Sequence, residues 1–528
     1  MVRFRRVGLM LVCALAILSF SISAQDAHPK KGGTLVAFVS SDPKSLDPAL
    51  ISSWDQAFMS VNLLEGLTRH IADGTEVKLA LADSYKVSED GKTWTFHIRK
   101  NAKFHNGRPI TSQDFKYTFE RVLDPKTRSP KAWMLDKVVG APEFRSGKTQ
   151  EVSGITCPDS ETLVIRLQEP LAPFFSMLAC PNLAVVDRKE VEKWGDGFGQ
   201  HVVSAGPFAL SGWKPNQELT LAAFDGYWAG RPYLDGVRYR FIPDENTRML
   251  EFMAKTLDVA WLTPAYHDKV THDPVLGKHI GRGETLHTEF LAVNLKKSPF
   301  GTNKTLRKAM QAALDVGAVL DMLQHRASLG TTLLPPKLAK FPVPEQGAHD
   351  LAKAKELMKK AGFENGVPGT FAVIGPPWGN LTKILEIYQA NLKEIGINIE
   401  IRLMQFPAYI EALESGDYAL AWAYRVADYA DPDAFYFPLL YSANAGAAGN
   451  VAGYSNPTMD SLLVQARTTM DAEKRVTLYK RIEGLFAEDL PYIPLMHNIW
   501  VDVSQPYVMN YVPSVMDFQD FSRVWLSK

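Results

Sequence analysis

From residue 370 to residue 424 the chain alternates between the two hydrophobic periods that regular secondary structure imposes. Phe371 to Ile374 form a short apolar run, broken by Gly375, Pro376 and Pro377. Leu381, Ile384, Tyr388 and Leu392 then recur at helical spacing behind Asn380, which predicts an Asn-capped helix ended by Gly396. Ile397, Ile399, Ile401 and Leu403 alternate with Asn398, Glu400 and Arg402, the period of a strand with one solvated face. A second helix over 407–414, Gly416 and a strand over 418–424 complete a β-α-β-α-β series, whose strands should run parallel.

A second series reads as a strand over 237–242, a helix over 246–255 with Met249, Leu250 and Met253 inward, and a strand over 257–262. Between the N-terminus and this series lies a strand-rich block, roughly 71–188, marked by the alternation Trp94, Phe96, Ile98. Open parallel sheets bind ligands beyond the carboxyl ends of their strands. That rule singles out the loops after Val39, Leu262, Ile374 and Tyr424. They carry Ser52, Ser53 and Trp54; Thr263, with Trp261 just before it; Trp378; and the run Arg425, Val426, Ala427, Asp428. Two α/β lobes facing each other across a cleft bring these loops together. Aromatic walls there bury apolar ligand surface, and Tyr424 and Val426 offer main-chain groups to an extended ligand.

Composition narrows the function classes. The 528 residues carry 58 basic and 58 acidic side chains, so the chain has no electrostatic footprint for nucleic acid. Arg3, Arg5 and Arg6, an apolar run over 7–20 and the small residues 21–24 follow the plan of a secretory signal peptide cleaved after Ala24. Cys13 lies within the apolar run rather than at its end, so the plan is not that of a lipoprotein. Cys157 and Cys180 remain after cleavage. In an oxidising compartment they read as one disulfide, with two free buried thiols as the alternative. Thr111 with Asp114 fits a capping box opening a helix over 112–122. No HExxH or GxSxG pattern occurs, and Gly195, Gly197 and Gly199 follow a charged helix rather than a strand. The sequence therefore implies no metal, no cofactor and no catalytic residue.

Residues 81–121, LADSYKVSEDGKTWTFHIRKNAKFHNGRPITSQDFKYTFER, hold an Asp-Gly turn, a Phe-His-Ile-Arg strand, a Phe-His-Asn-Gly turn and a Thr-x-x-Asp helix start in that order. With SLDPAL at Ser45, EGL at Glu65, AGPFALSGWKP at Ala205, LRKAMQAALD at Leu306, DLAKAKELMKKAG at Asp350 and DYADPDAF at Asp428, the chain resembles the extracellular solute-binding proteins of the peptide/nickel class, family 5, of ATP-binding-cassette importers, and is most similar to the dipeptide- and oligopeptide-binding members.

The resemblance implies a bilobal α/β periplasmic-binding-protein fold of type II with an extra domain. Its first lobe is discontinuous, 25–70 with 189–289 and 500–528. The strand-rich extra domain is 71–188, the second lobe 290–499, and the hinge crosses near Phe290 and Trp500. It further implies a monomeric, non-enzymatic periplasmic receptor that hands a peptide or peptide-like ligand to an inner-membrane permease. In peptide-binding members the aspartate at the position of Asp428 pairs with the ligand's ammonium, and a carboxylate shut away with an ammonium offsets the loss of water. Arg425 departs from the aromatic residue common there. It fits either a ligand carboxylate or an internal pair with Asp428. Family ligands also include nickel complexes, haem, sugars and opines.

Overall fold

Three sheets carry the fold, and the longest is built around two crossing strands. The computed structural model describes residues 28–71, 74–324, 326–342, 349–446 and 449–528. The expected leader over 1–24, with Cys13 and the cleavage point, lies outside the described residues. One four-stranded sheet has the order Thr34–Val39, Gly236–Phe241, Glu218–Ala223, Phe208–Lys214. Its first pair is parallel, with Leu35 against Val237, and the rest is antiparallel. A second, wholly antiparallel sheet comes from the strand-rich block: Ala82–Val87, Thr93–Ile98, Thr162–Arg166, Ile155–Thr156. Trp94, Phe96 and Ile98 fill its core side, as their alternation requires.

The seven-stranded sheet has the order Val259–Trp261, Tyr492–Ser504, Ile280–Val293, Leu420–Val426, Thr370–Gly375, Asn398–Leu403, with Ala327–Leu329 also on Tyr492–Ser504. Ile280–Val293 and Tyr492–Ser504 pair antiparallel from Ile280 opposite Val503 to Ala292 opposite Tyr492. One end of this ribbon meets Val259–Trp261 and the other meets Leu420–Val426. The β-α-β-α-β series is present, since Thr370–Gly375 runs parallel to both Asn398–Leu403 and Leu420–Val426, but its last strand is shifted by two residues and Asn380 opens the first helix without a side-chain cap bond. Helix Leu381–Glu394 buries Leu381, Ile384, Leu385, Tyr388 and Leu392. Gly396 turns the chain at φ 77, where a Cβ would meet the Gly366 backbone at 2.6 Å. Helix Phe406–Ser415 ends on Gly416 at φ 75.

Two expectations fail here. In helix Glu245–Met253, Met249 and Phe252 point inward, but Leu250 is 59 % exposed. Arg248 takes part of the inner face instead, its guanidinium 4.9 Å from the Phe38 ring and 4.8 Å from the Trp261 ring. The long aliphatic stem and the cation–π contacts let an arginine stand where a leucine was expected. The second failure is the disulfide: Cys157 and Cys180 are free thiols. Cys157 sits beside Ser112 and Lys116, whereas Cys180 is buried beside Asn182, Lys131 and Asp428. Each thiol is packed among its own neighbours, and a cystine needs the two Cβ atoms within about 4 Å. The capping box does form, with the Asp114 carboxylate accepting from both the Thr111 N–H and its hydroxyl at the start of Ser112–Leu123.

Candidate functional site

Strand Leu420–Val426 supplies one wall of the site. On one edge it pairs with Ile280–Val293 along its length, His287 opposite Val426 through Val293 opposite Leu420. On the other edge Thr370–Gly375 pairs only at Leu420 and Ala421. The second edge is therefore open from Trp422 onward. Alternate residues direct their N–H and C=O to the same edge. The Trp422 carbonyl accepts from the Tyr409 hydroxyl at 2.5 Å on that side, so the main-chain groups of Tyr424 and Val426 face the opening.

The opening is a cavity of about 530 Å³, within the range of small-molecule sites. Three distant stretches wall it. Ser53, Trp54 and Ala57 come from the N-terminal region. Pro130, Lys131, Pro181 and Asn182 come from the strand-rich block. Tyr409, Leu413, Ala423 to Asp428, Leu439 and Val451 come from the β-α-β-α-β region and the stretch that follows it. Met516, Asp517 and Phe518 close it from the C-terminal segment. The lining is mainly apolar, and its charged side chains are Lys131, Arg425, Asp428 and Asp517.

Six of the nine expected ligand residues line this cavity: Ser53, Trp54, Tyr424, Arg425, Val426 and Asp428. Ser53 works as the cap of helix Trp54–Leu63, in a capping box with Gln56, which fixes Trp54 at the first helical position. Trp261 stands one layer back, its ring 4.9 Å from both Trp54 and Trp500. Thr263 is buried at the start of Pro264–Thr271 and does not line the cavity. Trp378 stacks on Phe406 at 4.9 Å with its centroid 6.0 Å from Tyr424, and it is 41 % exposed outside the lining.

The charged groups form a compact constellation. Arg425 Nη2 donates to Asp428 Oδ2 at 2.6 Å, and Lys131 Nζ donates to Asp428 Oδ1 at 2.5 Å. Arg425 Nε donates to the Ala434 carbonyl at 2.9 Å, which anchors the guanidinium. Burial works to raise the Asp428 carboxyl, but the charges and hydrogen bonds of Arg425 and Lys131 prevail and hold it below its ordinary range. Sequence reading missed Lys131, which is 297 residues from Asp428. Asp517 accepts from the Trp500 indole N–H, and burial pushes its carboxyl up to about 7. The Cys180 thiol, on the same wall, is pushed up to about 11 by burial. Just behind the open edge, burial pushes Glu289 up to about 7, and its carboxylate accepts from Trp422 Nε1 at 3.0 Å. Among the described residues no group of three or more His, Cys, Asp or Glu side chains is arranged to hold a metal ion.

A deep recess walled by three parts of the chain, with an open strand edge and a few fixed charges, is that of a protein that captures a small solute. The chain belongs to the bacterial extracellular solute-binding proteins, family 5, whose "family 5 Middle" profile matches residues 76–447. It is 28% identical over 481 residues to the "Probable deoxycholate-binding periplasmic protein YgiS" of Escherichia coli (strain K12), covering 89% of this chain and 88% of that one. It is 29% identical over 536 residues to the "Oligopeptide-binding protein OppA" of Bacillus subtilis (strain 168), covering 94% of this chain and 95% of the relative. Among solved structures, the periplasmic binding protein DppA from Helicobacter pylori in complex with peptide STSA superposes with a TM-score of 0.78 at 26% identity, covering 94% of this chain and 99% of that one.

Proposed function

We propose that this chain is the solute receptor of an ATP-binding-cassette importer, capturing a peptide or peptide-like ligand in the 530 Å³ cavity and delivering it to an inner-membrane permease. The open edge of Leu420–Val426 carries this reading. An extended main chain can add there as a further strand, which gives affinity without side-chain selectivity. Ser53, Trp54, Tyr424, Arg425, Val426 and Asp428 form the contact wall, with Trp261 supporting Trp54 from behind and Trp378 at the margin beside Tyr424. The three-part division into 25–70 with 189–289 and 500–528, 71–188, and 290–499 makes the crossing strands the hinge about which the lobes close.

The receptor binds and releases without chemistry and acts as a monomer outside the cytoplasm, after removal of residues 1–24. The relative described as oligopeptide-binding and the solved structure in complex with a peptide support the peptide class. The relative described as deoxycholate-binding, with the mainly apolar lining here, favours a second reading, a non-peptide amphipathic solute. Native mass spectrometry of the purified protein, followed by denaturation to release and identify bound material, separates the two. Co-purified peptides support the first reading, and a single non-peptide compound replaces it with the second.

A further inference from the structure

We propose that Arg425 and Lys131 form an anion-recognition site, that the solute presents a free carboxylate there, and that Asp428 positions the two cations rather than meeting a ligand ammonium. The inference rests on the receptor reading and names the chemical class of its ligand. It reverses the polarity expected from the sequence, where Asp428 receives an ammonium.

Both Asp428 oxygens are already engaged, Oδ1 by Lys131 and Oδ2 by Arg425. Two cations share one carboxylate, so the constellation carries a surplus positive charge. Each Asp428 oxygen can still accept a second hydrogen bond, but the unbalanced charge lies wholly with the donors. An ammonium has three N–H groups and Lys131 directs one to Asp428, while Arg425 commits Nε to Ala434 and one N–H of Nη2 to Asp428, leaving the other Nη2 N–H and both of Nη1. Both cations can be reached from the cavity, with 25% of the Lys131 side chain and 23% of the Arg425 side chain exposed.

An entering ammonium would place a third cation around a single carboxylate in a mainly apolar cavity. An entering carboxylate instead brings two cations against two anions, in the forked geometry that a guanidinium favours. The remaining charged group of the lining, Asp517, is engaged by the Trp500 indole and is the one group able to cancel the surplus when ionised. Burial pushes it up to about 7, so titrations below that pH keep it neutral.

The test uses the whole mature chain at about pH 6 and two tripeptide mixtures of the same random composition. One is acetylated at the amino end with a free carboxylate. The other has a free amine and an amidated carboxyl end. Native mass spectrometry with calorimetry should show the acid mixture retained about ten-fold or more over the amide mixture. Lys131→Met and Arg425→Gln should each erase that preference, and Lys131→Arg should keep it. Asp428→Asn, which loosens both cations without removing either, should weaken acid retention while keeping the acid-over-amide preference. Retention of the amide mixture alone, or an acid preference that survives Lys131→Met in a chain with an unaltered melting curve, overturns the inference and leaves the receptor reading standing. Retention of neither mixture overturns the peptide-receptor reading together with it.

Discussion

Asp428 and Asp431 belong to one acidic stretch, three residues apart, yet their surroundings are opposites. Asp431 forms a bidentate pair with Arg475, Oδ1 to Nη2 at 2.8 Å and Oδ2 to Nη1 at 3.0 Å, and also accepts the Asp433 N–H at 2.9 Å. Asp433 in turn accepts the Tyr429 hydroxyl at 2.7 Å and pairs with Arg467 at 3.3 Å. Two carboxylates meet two guanidinium groups, buried and stoichiometrically closed. At Asp428 one carboxylate meets two cations on a cavity wall. Residue type and motif therefore do not separate a structural carboxylate from a functional one. Charge balance and access to a cavity do. Glu289 makes a third case, a buried carboxylate with an indole partner and no cation.

The comparison breaks first if the closed network proves dispensable. Arg475→Ala strands a buried Asp431 and is expected to lower stability by about 3–5 kcal/mol in urea unfolding, with solute affinity of the folded fraction unchanged. A loss no larger than that of an exposed ion pair would dissolve the distinction. The unmatched carboxylate sharpens it next. Folded Glu289 keeps its proton up to about pH 7, against an ordinary value of 4.5. Over that interval the native chain binds more protons than the unfolded one, so this group's contribution to stability falls as pH rises. Glu289→Gln should therefore be about 3 kcal/mol more stable than the parent near pH 8, the gain shrinking to almost nothing near pH 4.5. A gain independent of pH would mean that packing, not ionisation, is responsible. Asp428→Asn should cost only about 1 kcal/mol, because its partners remain partly solvated. Trp378→Ala, at the margin of the cavity, should change stability by no more than about 0.5 kcal/mol in the same assay.

Much of this architecture was legible because it rests on local periodicity. The β-α-β-α-β series, the Thr111–Asp114 capping box and the alternation at Trp94, Phe96 and Ile98 follow from spacing alone. The rule about strand carboxyl ends reached six residues of the cavity wall. What escaped depends on long-range juxtaposition. Lys131 sits in an unremarkable Ser-Pro-Lys turn, and no local signal tells that it meets a carboxylate 297 residues away. The cysteines were paired by counting, whereas a cystine is decided by the positions of the Cβ atoms. Leu250 and Arg248 exchanged places because hydropathy ranks a side chain by its head group and ignores a stem that packs on rings.

The ribbon made by Ile280–Val293 and Tyr492–Ser504 has a mechanical consequence. A zipped pair of strands resists stretching and sliding along its length but flexes across its flat face. Its ladder slips register between Glu284 and Thr288 and again between Glu289 and Phe290, where irregular pairing bends a strand most easily. The strands at its two ends, Val259–Trp261 and Leu420–Val426, would therefore swing most easily about His287 and Glu289. On the proposed receptor reading, a trapped guest would set the angle of that swing, and a membrane partner could gauge it from outside without touching the guest.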